Sequence, residues 1–298
     1  MLKTITVNAI VEYIENNLEL MHINTDALVE YSGYSKRYLQ ILFSSIIGIP
    51  VGKYIQMRRI TRAAILLRFT NLSIADISER FFYDSQQTFT REFKKNSGYT
   101  PLQYRKSKLW SFKNMLSCKK TNHSIPAPAF RRLEQKNFYG EKIFYKDIIP
   151  SNNPLSTLKW STVDSYLSKD NNPIYISHKL EEDKKDKENM HFNAVFWNNE
   201  DSYNSREELT EGIYACFSFT GSRNNYRTFI YNIYMNTLPF YGLQRKDSYD
   251  LEIIKKLGSN IYQFEYFLPV ICDDEIYKNN EHNHDEASSV QTLMKKSI

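Results

Sequence analysis

The sequence predicts two domains of different class. The first is all-α, built from two copies of one helix–turn–helix unit; the second is α+β, with helices on one face of an antiparallel sheet. Three observations carry this. A pattern of cap, short helix, turn, second helix and glycine recurs at an offset of 49 to 50 residues. Beyond Pro126 the texture changes from helical spacing to alternating, aromatic-rich runs. The charge changes with it: residues 1–120 hold 18 Lys/Arg against 9 Asp/Glu and the remainder 21 against 25, so the net +5 of the 298-residue chain conceals a basic first part.

In chain order, Val7, Ile10, Val11, Ile14 and Leu18 fall at helical spacing and predict a helix over 5–18 that packs beneath the first unit. Asn24 then caps a helix carrying Ala27, Leu28 and Tyr31, and Gly33-Tyr34-Ser35 makes a turn in which glycine is free to take a positive φ. The next helix ends at Gly48. A long helix runs from Pro50 to about Phe69, with Pro50 suited to its first turn and Arg58, Arg59, Arg62 and Arg68 interleaved among apolar residues. For most of these arginines a solvated face or a salt bridge is the favoured reading. The second unit opens at Ser73, which forms a shortened capping box with Asp76. Phe82 stands where a glycine would be expected in its turn, and Gly98 stops its second helix before Pro101 starts a last short one.

The two second helices align residue for residue: Ser35 with Ser85, Leu39 with Phe89, Phe43 with Phe93, Gly48 with Gly98. Phe89 and Phe93 lie four apart and share one buried face, which turns Gln86, Gln87, Thr90 and Arg91 outward. Glutamine and arginine make two-point hydrogen bonds to purine edges in the major groove, and threonine reads bases or phosphates. A single helix of this kind is as readily a solvated surface helix; its repetition on a basic background points to nucleic acid. A connecting helix of about 20 residues measures roughly 30 Å, close to the ~34 Å turn of B-DNA, so two such helices could enter successive major grooves.

Together, Gly33-Tyr34-Ser35, the Arg58-Arg59 helix, the run from Ser85 through Lys95 and Thr100-Pro101 with Tyr104-Arg105 resemble the AraC/XylS family of bacterial transcription regulators, and within it the Rob type, in which the DNA-binding domain comes first. The resemblance covers roughly residues 5–108. It implies a monomer on an asymmetric, bipartite promoter site in double-stranded DNA, and activation by recruiting RNA polymerase. It carries base or phosphate contacts onto Gln86, Gln87, Thr88 and Arg91, with Thr90 beside them. In the first unit it carries them onto Lys36, Arg37, Tyr38 and Gln40. There this chain departs from its relatives, which flank the central glutamine with tryptophan and arginine; here Arg37 and Ile41 hold those positions. One half-site is therefore expected to be familiar to the subgroup and the other altered.

Residues 109–125 are polar and basic and are read as a linker, with His123 a surface histidine. Strands are predicted over 138–145, 174–178, 192–197, 212–219 and 261–270, and helices over 154–167 and 223–241. Gly212-Ile213-Tyr214-Ala215 and Phe264-Glu265 with Leu268-Pro269-Val270 resemble the GyrI-like effector domain that follows the DNA-binding domain in Rob-type regulators. That resemblance implies an effector/regulatory domain over 126–272 that takes a small amphipathic or cationic ligand. Glu265 would meet the charge, and Trp197, Tyr262 and Tyr266 would supply aromatic walls. The alternative is a solvent-facing carboxylate and core aromatics. The mixed-charge run 181–188 reads as a solvated loop, and residues 273–298 as a flexible tail in which His282 and His284 make no metal site.

Cys118, Cys216 and Cys272 have no metal or redox spacing and read as reduced thiols. No apolar run is long enough to span a membrane and the N-terminus lacks a signal peptide's apolar core, so the expected location is the cytoplasm, at the nucleoid. No catalytic constellation, metal site or cofactor motif is present, and the chain reads as a non-enzyme. The competing reading makes the second half the working part, a small-molecule binding or protein-interaction module, with DNA binding only weakly specific.

Overall fold

The computed structural model describes residues 2–120, 125–147, 156–169, 172–181, 185–198 and 206–271. The expectations for His123, for residues 182–184, for Cys272 and for the tail beyond it lie outside the described residues. Contacts divide the chain into two compact units. One takes Met1–Pro126, Lys184–Glu188 and Tyr231–Gly242; the other takes Ala127–Asp183, Asn189–Ile230 and Leu243–Ile298.

The first unit begins with α1 (Leu2–Asn17), whose Val7, Ile10, Val11 and Ile14 are buried. They pack against Leu28 of α2 (Thr25–Ser32) and Leu39, Leu42 and Phe43 of α3 (Lys36–Ile47). The caps are those the residue types dictate. Asn24 accepts from the Ala27 N–H and Ser35 from the Tyr38 N–H, while Gly33 and Gly48 stop their helices at φ 70° and 86°. The long helix α4 (Val51–Phe69) leads to the second copy, α5 (Ile74–Arg80) and α6 (Gln86–Ser97). Pro50 occupies the cap position of α4, one residue ahead of its first turn. Ser73 and Asp76 do form a capping box, and Gly98 ends α6 at φ 84°. Phe82 adopts φ 58° in the α5–α6 turn, the left-handed conformation that glycine would take at lower cost. Then α7 (Pro101–Lys106) closes the repeat.

Residues 109–118 are not a linker. The short strand β1 (Leu109–Ser111) and the residues immediately after it bury Trp110, Phe112 and Met115. The ring of Trp110 meets Phe69 edge-on at 5.1 Å and lies under the Arg68 guanidinium. The polar and basic composition that suggested a linker belongs to the residues between these aromatic anchors.

The second unit holds β2 (Ala129–Leu133), β3 (Lys136–Phe138), β4 (Gly140–Asp147), α8 (Thr157–Lys169), β5 (Ile174–Glu181), β6 (Met190–Trp197), β7 (Glu207–Leu209), β8 (Gly212–Gly221), α9 (Arg223–Asn232), β9 (Gln244–Lys246), β10 (Leu251–Lys256) and β11 (Tyr262–Ile271). Its sheet runs β2–β8–β11–β10–β5–β6–β4, antiparallel throughout, and β9 pairs the end of β11. The helices α8 and α9 cover one face through Trp160, Val163 and Tyr226. The other face gathers Leu133, Phe138, Val195, Tyr214, Leu251 and Phe267.

Besides the short strands β2, β7 and β9, which the sequence expectation lacks, three features differ from it. The strand expected over 138–145 is two, broken at Tyr139. The central strand β10 was missed because Glu252, Lys255 and Lys256 hide its alternation; Glu252 is buried and takes a hydrogen bond from Lys159 Nζ at 2.6 Å. The helix expected over 223–241 passes through a π-helical turn, Ile233–Thr237, before α10 (Leu238–Tyr241). Pro239 lacks the N–H that would bond to Met235, and the Leu238 N–H reaches back five residues to the Ile233 carbonyl instead. By its contacts this turn belongs to the first unit, where the Tyr234 ring meets Phe69 edge-on at 4.9 Å and Asn236 accepts from the Cys118 N–H.

Candidate nucleic-acid interface

The first unit presents two helices of 12 residues each, capped by serine and stopped by glycine. In α6 the apolar back is Phe89 and Phe93, both fully buried and in ring contact at 5.6 Å. Gln86, Gln87 and Arg91 are exposed on the opposite side, and Thr88 and Thr90 are half-buried at its edges. The Thr88 hydroxyl lies 3.1 Å from the capping Ser85 hydroxyl, so it holds the first turn as well as facing outward. The far flank of α6 is tied to α4: Gln56 donates to Glu92, and Lys53 to Asn96 at 3.3 Å.

In α3 the buried back is Leu39, Leu42 and Phe43, and Lys36, Arg37, Tyr38, Gln40 and Ile41 are all exposed. Lys36 pairs with Asp26 at 3.0 Å, an exposed contact worth little that a phosphate could replace. Tyr38 packs edge-on against Tyr34 at 4.9 Å, which fixes its ring. Ile41 is 59% exposed. A large aliphatic side chain standing free on such a helix is the local feature that packing does not explain.

Buried arginine contacts tie α4 to the elements around it. Arg58 donates to Glu15 of α1 at 2.7 and 2.8 Å and also to the Leu116 carbonyl. Arg62 donates to Glu19 at 3.0 Å. Arg68 reaches the carbonyls of Arg105, Ser107 and Leu109. Burial by itself would raise the Glu15 pKa, but the neighbouring Arg58 and Arg62 guanidiniums outweigh it and hold the carboxyl below its ordinary value. The salt-bridge reading of the interleaved arginines thus holds for Arg58 and Arg62.

The four residues proposed for a ligand in the second unit do not converge. Side chains alternate along a strand, and β11 puts Tyr262 and Tyr266 on the helix-covered face with Phe264, away from Glu265. Tyr262 is buried beneath Arg223, from which it accepts a hydrogen bond at 2.7 Å. Tyr266 donates to buried Asp250 at 2.7 Å. Asp250 in turn faces His178 Nδ1 at 2.9 Å. Glu265 is half-buried on the other face. Its neighbours across the sheet are Ser218 of β8 and Ile253 of β10, and Ile253 pairs Tyr175 of β5. Tyr175 stacks on Trp197 at 5.7 Å. Glu265 and Trp197 therefore share one row with Ile253 and Tyr175 between them. Those two were missed by sequence reasoning, although the period-two parity separating Glu265 from Tyr262 and Tyr266 was legible. Among the described residues, no three His, Cys, Asp or Glu side chains group as a metal site, and no single helix is long and apolar enough to cross a membrane.

Comparison with known proteins agrees with this arrangement. Residues 28–107 match a helix-turn-helix domain family and residues 154–271 the GyrI-like small molecule binding domain family. The F1 operon positive regulatory protein of Yersinia pestis is 42% identical over 287 residues, covering 94% of this chain and 95% of that protein. The chain belongs to the AraC family of transcription regulators, of the Rob type. The right origin-binding protein of Escherichia coli K12 is 28% identical over 251 residues, 80% of this chain and 86% of that one. The transcriptional activator AarP of Providencia stuartii is 42% identical over 101 residues, 34% of this chain and 74% of that one. This AraC-family chain is a sequence-specific DNA-binding transcription regulator with a GyrI-like second domain.

Proposed function

We propose that this regulator binds as a monomer to an asymmetric, bipartite promoter site, inserts α3 and α6 into successive major grooves, and activates transcription by recruiting RNA polymerase in the cytoplasm. The observation that carries the reading is the pair of equal, serine-capped helices with exposed Gln/Arg fronts, joined by a 19-residue helix. Gln86, Gln87 and Arg91 read one half-site, and Thr88 and Thr90 meet phosphate or base edges beside them. Gln40 reads the other half-site with Tyr38, while Lys36 and Arg37 take phosphates. Ile41 offers no hydrogen bond and suits the methyl group of thymine, so this half-site differs from one read by an arginine there. The second domain takes a lipophilic cation or amphipath on the Glu265–Ile253–Tyr175–Trp197 row, and it carries no catalysis. Selection of bound sites from a random DNA pool tests the reading. A bipartite motif with halves about one helical turn apart supports it, and retention of DNA without sequence enrichment overturns it.

A further inference from the structure

Of the arginines along α4, Arg59 stands apart. Arg58 and Arg62 have carboxylates and Arg68 has three carbonyls. The Nε and Nη2 atoms of Arg59 are shut off from solvent and donate to nothing among the described residues. The Arg59 side chain also lines a cavity of about 250 Å³ whose lining residues include no carboxylate. Tyr83 lines it too, and its hydroxyl is likewise buried and without an acceptor among the described residues. Burial holds the Arg59 pKa below its ordinary value and pushes the Tyr83 hydroxyl up to about 12, so that hydroxyl keeps its proton to donate. A third wall is the start of α2, where His22, Asn24 and Thr25 line the space. That helix end adds a partial positive charge.

Buried donors left unmade are costly. Here Arg59, Tyr83 and a helix N-terminus border one space, and the carboxylate that acts on Tyr83, Glu92, is itself engaged by Gln56. The group that satisfies all three is a tetrahedral oxyanion: it accepts from several directions at once and neutralises the arginine. The walls come from both repeats. The start of α2 belongs to the first. Tyr83 lies in the turn just ahead of α6, with its ring against Phe89 at 5.2 Å. Arg59 belongs to the helix that joins them.

We propose that this cavity is a phosphate site, and that its occupant is the phosphodiester of bound DNA lying between the two half-sites, clamped by Arg59 and Tyr83. The inference rests on the proposed bipartite reading for the source of the phosphate, but not for the anion chemistry itself.

The test uses the full chain and a duplex carrying the selected site, with a single neutral methylphosphonate moved step by step along the backbone between the halves. Wild-type affinity should fall about tenfold at one or two adjacent positions, as for loss of a charge-assisted hydrogen bond. Arg59→Gln should bind the unmodified duplex about tenfold more weakly, show no dip at those positions, and reduce the slope of log affinity against log salt by about 1. Dips at other positions should persist in the variant, which checks its folding. Tyr83→Phe should give a smaller loss confined to the same positions. In a second arm, inorganic phosphate is titrated into the free protein while the thermal midpoint is followed. Stabilisation of wild type but not Arg59→Gln, without a methylphosphonate dip, keeps the oxyanion site and assigns it a free anion. A dip that survives Arg59→Gln, or the absence of both effects, overturns the site. If site selection yields no bipartite motif, the functional reading fails while the phosphate arm still decides this one.

Discussion

Arg58 and Glu15 face each other in the first unit as a two-point ion pair, Nε to Oε1 at 2.7 Å and Nη2 to Oε2 at 2.8 Å, with the arginine side chain 1% exposed. The pair joins α1 to the middle of the helix that spaces α3 and α6, the helices proposed to read DNA, and Tyr54 adds a hydrogen bond to the same carboxylate at 2.9 Å. A buried ion pair is weak evidence of net stability, but breaking one is costly because it strands a charge. Glu15→Ala should therefore destabilise the protein by about 3–5 kcal/mol, read from denaturant unfolding of the full chain. A loss below about 1 kcal/mol would show that water or another acceptor rescues Arg58.

The same carboxylate gives a pH dependence with a definite sign. Its pKa is lower in the folded protein than in the unfolded chain. Its contribution is then fully present above the unfolded value of about 4.3 and is lost as pH falls through the lower folded one. The stability gap between wild type and Glu15→Gln should be wide at neutral pH and narrow steadily in acid. A gap that stayed constant down to acid unfolding would mean that Glu15 carries no linked proton.

The two reading helices should fail independently. Gln87→Ala and Gln40→Ala should each cost about 1–3 kcal/mol on the intact site, and each should relax sequence preference in one half only. Replacing an exposed glutamine leaves the Phe89/Phe93 and Leu39/Phe43 backs untouched, so neither change should move the unfolding midpoint. Relaxation of both halves by either variant would contradict separate readout.

Ile41 makes a sharper case, because a methyl group can be removed from the DNA instead of the protein. Deoxyuridine in place of thymidine at each position of the first half-site should weaken wild-type binding at one step. Ile41→Ala should be indifferent to that exchange, and Ile41→Arg should shift the preference there towards guanine. Equal binding to both pyrimidines by wild type would leave the exposed isoleucine without a role in readout.

Much of this molecule is legible in its sequence because local chemistry decides it. Asn24, Ser35, Ser73 and Ser85 cap the helices their side chains predict, and Gly33, Gly48 and Gly98 end them at positive φ. What escaped reading depends on distant neighbours. Trp110 and Phe112 sit in a stretch whose composition looks like a linker, and it is the fold that brings Phe69 and Arg68 against Trp110. Glu252 looks like an exposed charge until Lys159 comes to meet it. Strand β10 went unrecognised for that reason, and with it Ile253, the residue next to Glu265. Arg59 cannot be told from Arg58 by composition or spacing; the difference is that one found a carboxylate.

The parity of β11 separates two roles that the sequence reading combined. Glu265 faces the row of Ile253, Tyr175 and Trp197, whereas Tyr266 donates to Asp250 on the helix-covered face. Glu265→Gln should therefore weaken binding of a lipophilic quaternary cation by about tenfold, the value of one lost charge contact of roughly 1.4 kcal/mol, and leave a neutral analogue of the same shape unaffected. Tyr266→Phe should do the reverse: unchanged cation affinity, with stability reduced by about 1.5–3 kcal/mol because a buried carboxylate loses a donor. Titration calorimetry and urea unfolding on the same two variants separate these outcomes. If Tyr266→Phe abolished cation binding at full stability, the ligand would lie on the helix-covered face, against Asp250 and His178, and Glu265 would be an ordinary strand residue.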